Sequence, residues 1–110
     1  MPRRSTAPVA PDSFEEIDRA VHEPARIWLM ANLMVLDEAD FTYLQNETGM
    51  TRGNLGSHMA KLQTAGYVTV EKTYREQTPR TVFALTESGR SAVIRWRDQM
   101  AGIVAMLSGS

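Results

Sequence analysis

The sequence predicts a mainly α-helical domain carrying one small β-hairpin, and three observations predict it. Between Asp40 and Gly66 the chain reads as two short helices separated by a tight turn, each with its own cap and stop. From Tyr67 to Leu85 two segments rich in β-branched and aromatic residues flank a short polar loop. Two further helical segments, 24–36 and 86–107, are strongly apolar and lie outside this unit.

The elements follow from the residues in order. Residues 1–12 hold three prolines, two arginines and small side chains, a solvated tail ahead of a domain expected to span 13–107. Ser13 with Glu16 three residues later has the spacing of a capping box, for a short helix to about Val21. Pro24 suits the first turn of the next helix, which runs to Leu36. That helix is apolar on nearly every face, with Ile27, Trp28, Leu29, Met30, Leu33, Met34, Val35 and Leu36. Such a helix is buried all round, and a second copy of the chain is the natural cover for what one small core leaves open.

Asp40 is placed to cap a helix over 41–48 with Phe41, Leu44 and Tyr43 inward, and Gly49 supplies the left-handed residue of the turn. Thr51 caps the next helix, from Arg52 to about Ala65, and Gly66 ends it, completing a helix-turn-helix over 40–66. Strands at 67–74 and 80–85 around the polar 75–79 loop complete a hairpin over 67–85. Thr86 caps a last helix over 87–107, in which Val93, Trp96, Met100, Ile103 and Leu107 recur at spacings of 3, 4, 3 and 4. This is a coiled-coil-like stripe. It predicts a homodimer seam formed by Ile27, Met30 and Met34 of the first long helix with Val93, Trp96, Met100, Ile103 and Leu107 of the last.

At 110 residues, 43% hydrophobic and 23% charged, the chain has the composition of one globular domain. It contains no cysteine, which removes disulfides and thiolate metal sites. No apolar run approaches the roughly 18 residues of a membrane span, and no signal-peptide core is present at the N-terminus. A soluble cytoplasmic protein with no membrane partner is expected. The net charge of −1 conceals a polarity. Between Thr51 and Leu85 the cations Arg52, Lys61, Lys72, Arg75 and Arg80 face only Glu71 and Glu76, whereas Met1 to Met50 carries four arginines against nine carboxylates. Nucleic-acid binding requires a basic face, not a basic average.

Within 52–65, Leu55, Met59 and Leu62 form one apolar stripe, and Arg52, Asn54, Ser57, His58 and Lys61 face away from it. These are side chains suited to base edges and phosphates, and the helix N-terminus at Thr51 and Arg52 favours a phosphate. Gly53 and Gly56 each cost about 1 kcal/mol in a helix interior; their presence points to close backbone approach, either to DNA or to the preceding helix. On the hairpin, Arg75, Thr78 and Arg80 are the candidate contacts, with Arg80 alternatively paired to Glu76. His58, on the polar side, could change charge near neutral pH or sit neutral at the edge of the core.

The run Ser57-His58-Met59-Ala60-Lys61-Leu62-Gln63-Thr64-Ala65-Gly66-Tyr67-Val68 resembles the signature shared by ArsR-like and MarR-like winged-helix repressors. Phe41-x-x-Leu44 and Thr48-Gly49-Met50-Thr51-x-Gly53-Asn54-Leu55 look like the compact regulators labelled winged-helix DNA-binding proteins. Glu71-Lys72-Thr73 and Pro79-Arg80-Thr81 resemble their wing and Leu85-Thr86-x-x-Gly89-Arg90 their lead into the last helix, a likeness over residues 24–107. The resemblance implies a homodimer on a pseudo-palindromic operator in double-stranded DNA. Base contacts would come from the 52–65 helix, and phosphate or minor-groove contacts from a 74–80 wing. One departure stands out. ArsR-type metal sensors use Cys, His and carboxylate clusters, and this chain has only His22 and His58, on different elements. No metal and no cofactor are expected.

Enzyme chemistry finds no support. Ser57 and His58 are adjacent on a helix and point apart, so they form no catalytic pair. Asp37, Glu38 and Asp40 are explained by caps and a solvated loop, and no glycine-rich phosphate loop follows a strand. Trp28 and Trp96 pack in a core or line a cavity for an unidentified small-molecule effector. A winged-helix module that binds protein in place of DNA is the alternative function the sequence leaves open.

Overall fold

Local capping decides where the helices begin. In the computed structural model, which describes residues 16–109, Glu23 accepts a hydrogen bond from Arg26 N–H at 2.9 Å and opens α1, Pro24–Val35. Ala39–Asp40 forms a two-residue strand, β1, and the Asp40 carboxylate accepts from Tyr43 N–H at 2.7 Å to start α2, Phe41–Thr48. Gly49, at φ 74°, ends α2 in the left-handed conformation that glycine adopts without steric cost. Thr51 accepts from Asn54 N–H at 3.1 Å and starts α3, Arg52–Thr64. Gly66, at φ 83°, stops α3, with Gly66 N–H donating to Gln63 and Tyr67 N–H to Leu62, the paired bonds of a Schellman motif.

The chain then forms β2, Val68–Arg75, and β3, Thr78–Leu85, paired antiparallel from Val68↔Leu85 to Arg75↔Thr78. β1 joins the far side of β3 through Ala39↔Phe83 and Asp40↔Val82, so the sheet order is β1-β3-β2. The turn is shorter than the expected 75–79 loop. Only Glu76 and Gln77 lie between the strands, both at positive φ (51° and 71°), the sign pattern of a type I′ hairpin turn. Pro79 falls inside β3, and β1 reaches only Val82 and Phe83. The strand therefore has an open edge at Pro79, the setting in which a sheet tolerates proline. Thr86 closes the unit. Its hydroxyl donates to Gly66 O at 2.7 Å and accepts from Gly89 N–H at 2.9 Å, starting α4, Glu87–Leu107.

One core joins these elements. Val21, Leu29, Met30, Leu33, Leu44, Leu55, Met59 and Leu62 are fully buried, with Val68, Phe83, Ala92 and Val93 around them. Three expectations need correction. The helix expected from Ser13 begins outside the described residues, and residues 16–21 hold no α-helix. Asp18 instead accepts from Ala20 N–H through its side chain and from Val21 and His22 N–H through its carbonyl, local bonds that compete with helix. Tyr43 is 44% exposed, not inward. Met30 and Val93, assigned to the dimer seam, are buried in the chain's own core. Ile27, Met34 and Trp96 pack partly against that core, Met100 and Ile103 are half-buried, and Leu107 is exposed.

Candidate nucleic-acid interface

The core stripe of α3 is Leu55, Met59 and Leu62, and this orientation turns Gly53, Asn54, Ser57, Ala60, Lys61 and Thr64 to solvent. Gly53 and Gly56 have open space where a Cβ would stand, so neither is required for contact with α2. Of the two explanations for these glycines, packing against the preceding helix is removed.

Beside α3, a cleft of about 690 Å³ opens between the first turns of α2 and α3 and the hairpin. Its floor carries Phe41 and Phe83, whose rings lie 6.2 Å apart, and the Arg52 guanidinium sits 5.3 Å above the Phe41 ring. Arg52, Lys72, Arg75 and Arg80 bring four cations to the lining, against Asp40 and Glu76. Arg80 is already satisfied. Its Nη2 lies 3.2 Å from Asp40 Oδ2, and both side chains are largely buried. The partner of Arg80 is thus Asp40, in place of the Glu76 weighed from sequence, and the ion pair ties the hairpin to the cap of α2. Arg52, Lys72 and Arg75 remain as the cationic face of the cleft. Thr51 is exposed as a cap and Thr78 is exposed on the hairpin.

His58 lies apart from this group. Its side chain is only 16% exposed, and Nδ1 sits 3.1 Å from Arg26 Nη1 and 3.9 Å from Glu23 Oε1. Burial alone would raise the Glu23 pKa. The Arg26 and Ala25 N–H bonds and the positive charge beside the carboxylate together outweigh it, so the carboxyl sits below its ordinary value. Near α4, the Tyr67 hydroxyl donates to Asp18, and this bond, reinforced by burial, raises the phenol pKa. Trp96 Nε1 donates to His22 Nδ1 at 3.0 Å, Trp28 is half exposed, and neither indole lines the cleft. Among the described residues no cluster of three or more His, Cys, Asp or Glu is placed to hold a metal ion.

The Asp40–Arg80 link gives a pH-dependent expectation. The Tyr43 N–H bond first, and Arg80 second, hold the Asp40 carboxyl below its ordinary value. A depressed carboxyl contributes stability that is complete above the unfolded pKa, about 3.9, and is lost as pH falls through the folded value. Asp40→Asn should therefore be about 1 kcal/mol less stable than wild type at neutral pH. In urea unfolding the difference should shrink as pH falls below about 4. A gap unchanged down to about pH 2 would exclude the ionised pair as its source.

A helix-turn-helix whose second helix turns its polar side to solvent beside a β-hairpin is a winged helix, here with a cationic cleft between helix and wing. The chain belongs to the winged helix DNA-binding domain family, whose model matches residues 25–104. It is 33% identical to an uncharacterized protein of Methanocaldococcus jannaschii over 67 residues, 61% of this chain and 73% of that protein. Its fold is similar to the structure of a transcriptional regulator homologue from Pyrococcus horikoshii. That comparison has a TM-score of 0.79 and 28% identity, and covers 84% of this chain and 94% of the other. An ArsR family transcriptional regulator shares the fold at a TM-score of 0.54 and 18% identity, over 84% of this chain and 92% of its own. The family and its fold are those of DNA-binding regulators, not of enzymes. No helix among the described residues is long and apolar enough to cross a membrane.

Proposed function

We propose that this chain is a homodimeric, sequence-specific transcriptional regulator, acting as a cytoplasmic repressor on a pseudo-palindromic operator. α3 enters the major groove, where Asn54, Ser57 and Lys61 meet base edges and phosphates. The wing lies against phosphates or the minor groove through Arg75 and Thr78. The observation that carries this reading is the convergence of Arg52, Lys72 and Arg75, in addition to the Asp40–Arg80 ion pair, on the cleft between α3 and wing. Thr51 and Arg52 sit at the N-terminus of α3, whose free N–H groups and dipole favour a phosphate.

A dimer neutralising about 6–10 phosphates should lose roughly 10³–10⁵ in affinity between about 50 and 200 mM salt. Arg52→Ala and Arg75→Ala should weaken binding to all duplexes alike, because phosphate contacts carry little sequence information. Asn54→Ala and Ser57→Ala should instead relax preference at individual base pairs, each by about 1–3 kcal/mol. Selection of duplexes from a random pool, followed by titration at several salt concentrations, tests both. A protein that selects no sequence and binds no duplex at low salt would be a protein-binding module instead.

A further inference from the structure

The Arg26–His58 contact determines the chemistry that α3 presents at position 58. Arginine has donors and no acceptor, so the 3.1 Å approach of Arg26 Nη1 to His58 Nδ1 is a hydrogen bond only if Nδ1 is unprotonated. An Nδ1–H would instead point at a cation. The acceptor it would need, Glu23 Oε1, is 3.9 Å away, beyond hydrogen-bond reach. Arg26 is itself held in place. Its Nε donates to Ala20 O at 2.7 Å and its Nη2 to Arg19 O at 3.3 Å, so the guanidinium is pinned to the turn preceding α1. Glu23, the other charged neighbour, is committed as the cap of α1 through Arg26 N–H.

The second ring nitrogen is free of the protein. Among the described residues the one wholly buried side-chain polar atom without a partner is Gln99 Oε1, so His58 Nε2, for which no hydrogen bond to the protein is formed, is not wholly enclosed on this 16%-exposed side chain. It lies one turn along α3 from Asn54 and one turn before Lys61.

We propose that Arg26 is a positioning residue for DNA reading. By donating to Nδ1 it locks neutral His58 as the Nε2–H tautomer, and α3 thereby offers the operator a hydrogen-bond donor at this position. The group it would meet is an acceptor: guanine O6 or N7, adenine N7, thymine O4 or a phosphate oxygen, and not the amino group of adenine or cytosine. This rests on the DNA-binding reading above and adds to it a residue of α1 that touches no DNA.

The test has two arms. In the first, imidazole nitrogen resonances of the ¹⁵N-labelled, DNA-free protein are recorded at about pH 8, where histidine is neutral. There are two histidines, so His58→Gln assigns them. Wild type should show His58 protonated on Nε2 alone. Arg26→Met should let the two tautomers average, and Arg26→Lys, which keeps a donor, should restore the single form. A wild-type His58 that is averaged or protonated on Nδ1 overturns the proposal, whether or not the methionine variant folds; so does an unchanged pattern in folded Arg26→Met. In the second arm, His58→Ala should lower discrimination at one base pair about tenfold. A loss of the same size on every duplex would assign the donor to a phosphate instead. Unaltered affinity and selection overturn the DNA contact of His58 but leave the proposed function standing. Wild-type protein that binds no duplex overturns the proposed function, with the tautomer result unaffected.

Discussion

Gly89→Ala should destabilise the protein by about 2–4 kcal/mol, although alanine is the better helix former by nearly 1 kcal/mol at an open site. A Cβ at position 89 would stand 2.1 Å from the Tyr67 carbonyl oxygen and 2.9 Å from its carbon. The obstacle is backbone, and it cannot step aside. Tyr67 N–H closes the stop of α3 on Leu62 at 2.9 Å, and its carbonyl accepts from Thr86 N–H at 3.0 Å. The Tyr67 hydroxyl donates to Asp18. Relief would have to come from tilting α4 away from the end of α3, which opens the core at Ala92 and Val93. For a domain of this size the loss corresponds to a fall in Tm of roughly 10–25 °C, with the urea m-value unchanged. Gly53→Ala is the control: nothing lies within 4 Å of its missing Cβ, so the helix-propensity gain of about 0.5–1 kcal/mol should appear there. Gly89→Ala as stable as wild type would mean that the α3–α4 junction is looser than this packing.

The contrast between those two glycines shows what was legible in the sequence. Features set by residues within a turn of one another were readable. Asp40, Thr51 and Thr86 cap as their types predict, and Gly49 and Gly66 end helices at positive φ. The order helix-turn-helix then hairpin followed from them. What depends on partners far along the chain was not readable. Asp40 is visible as a cap, yet its pairing with Arg80 requires β1 to dock on β3 in one register, a consequence of tertiary packing. His58 belongs by periodicity to the polar side of α3, but it borders α1, and only the position of Arg26 decides that its Nδ1 is occupied. The Tyr67 contact that demands a glycine at 89 is equally non-local. The hairpin turn failed for another reason. Glu76 and Gln77 lack the Asn-Gly chemistry of type I′ turns, so the residues by themselves predict a longer loop. Strand pairing overrode local preference there, leaving two non-glycine residues at positive φ beside Arg75.

The largest effect on function is expected from charges placed on the outer end of α4. The two apolar helices carry more hydrophobic surface than one chain covers. On α1, Trp28 is 50% and Val35 84% exposed; on α4, Val104 is 57% and Leu107 82% exposed, with Met106 also bare. α4, at 21 residues, is roughly 30 Å long. Its first half packs Gly89, Ala92 and Val93 inward, while its last turn projects beyond the core. A second chain packed about a two-fold axis covers such a surplus and sets two copies of α3 for two half-sites about one DNA turn apart. Val104→Glu with Leu107→Glu separates this arrangement from a monomer, because neither residue is buried within the chain. Sedimentation should find wild type dimeric at about micromolar concentration and the double variant monomeric, with helix content preserved and Tm lowered only by the lost association, so that it no longer depends on protein concentration. Met100→Glu, on the half-buried side of the same stripe, should also dissociate the dimer but at some cost in stability. Separating the half-sites removes the second, intramolecular binding event, so operator affinity should fall by roughly 10²–10⁴ while the weak binding of a single domain persists. Wild type sedimenting as a monomer would refute the dimer. A double variant that keeps full operator affinity would show that one winged helix suffices, and the exposed end of α4 would then need a different partner.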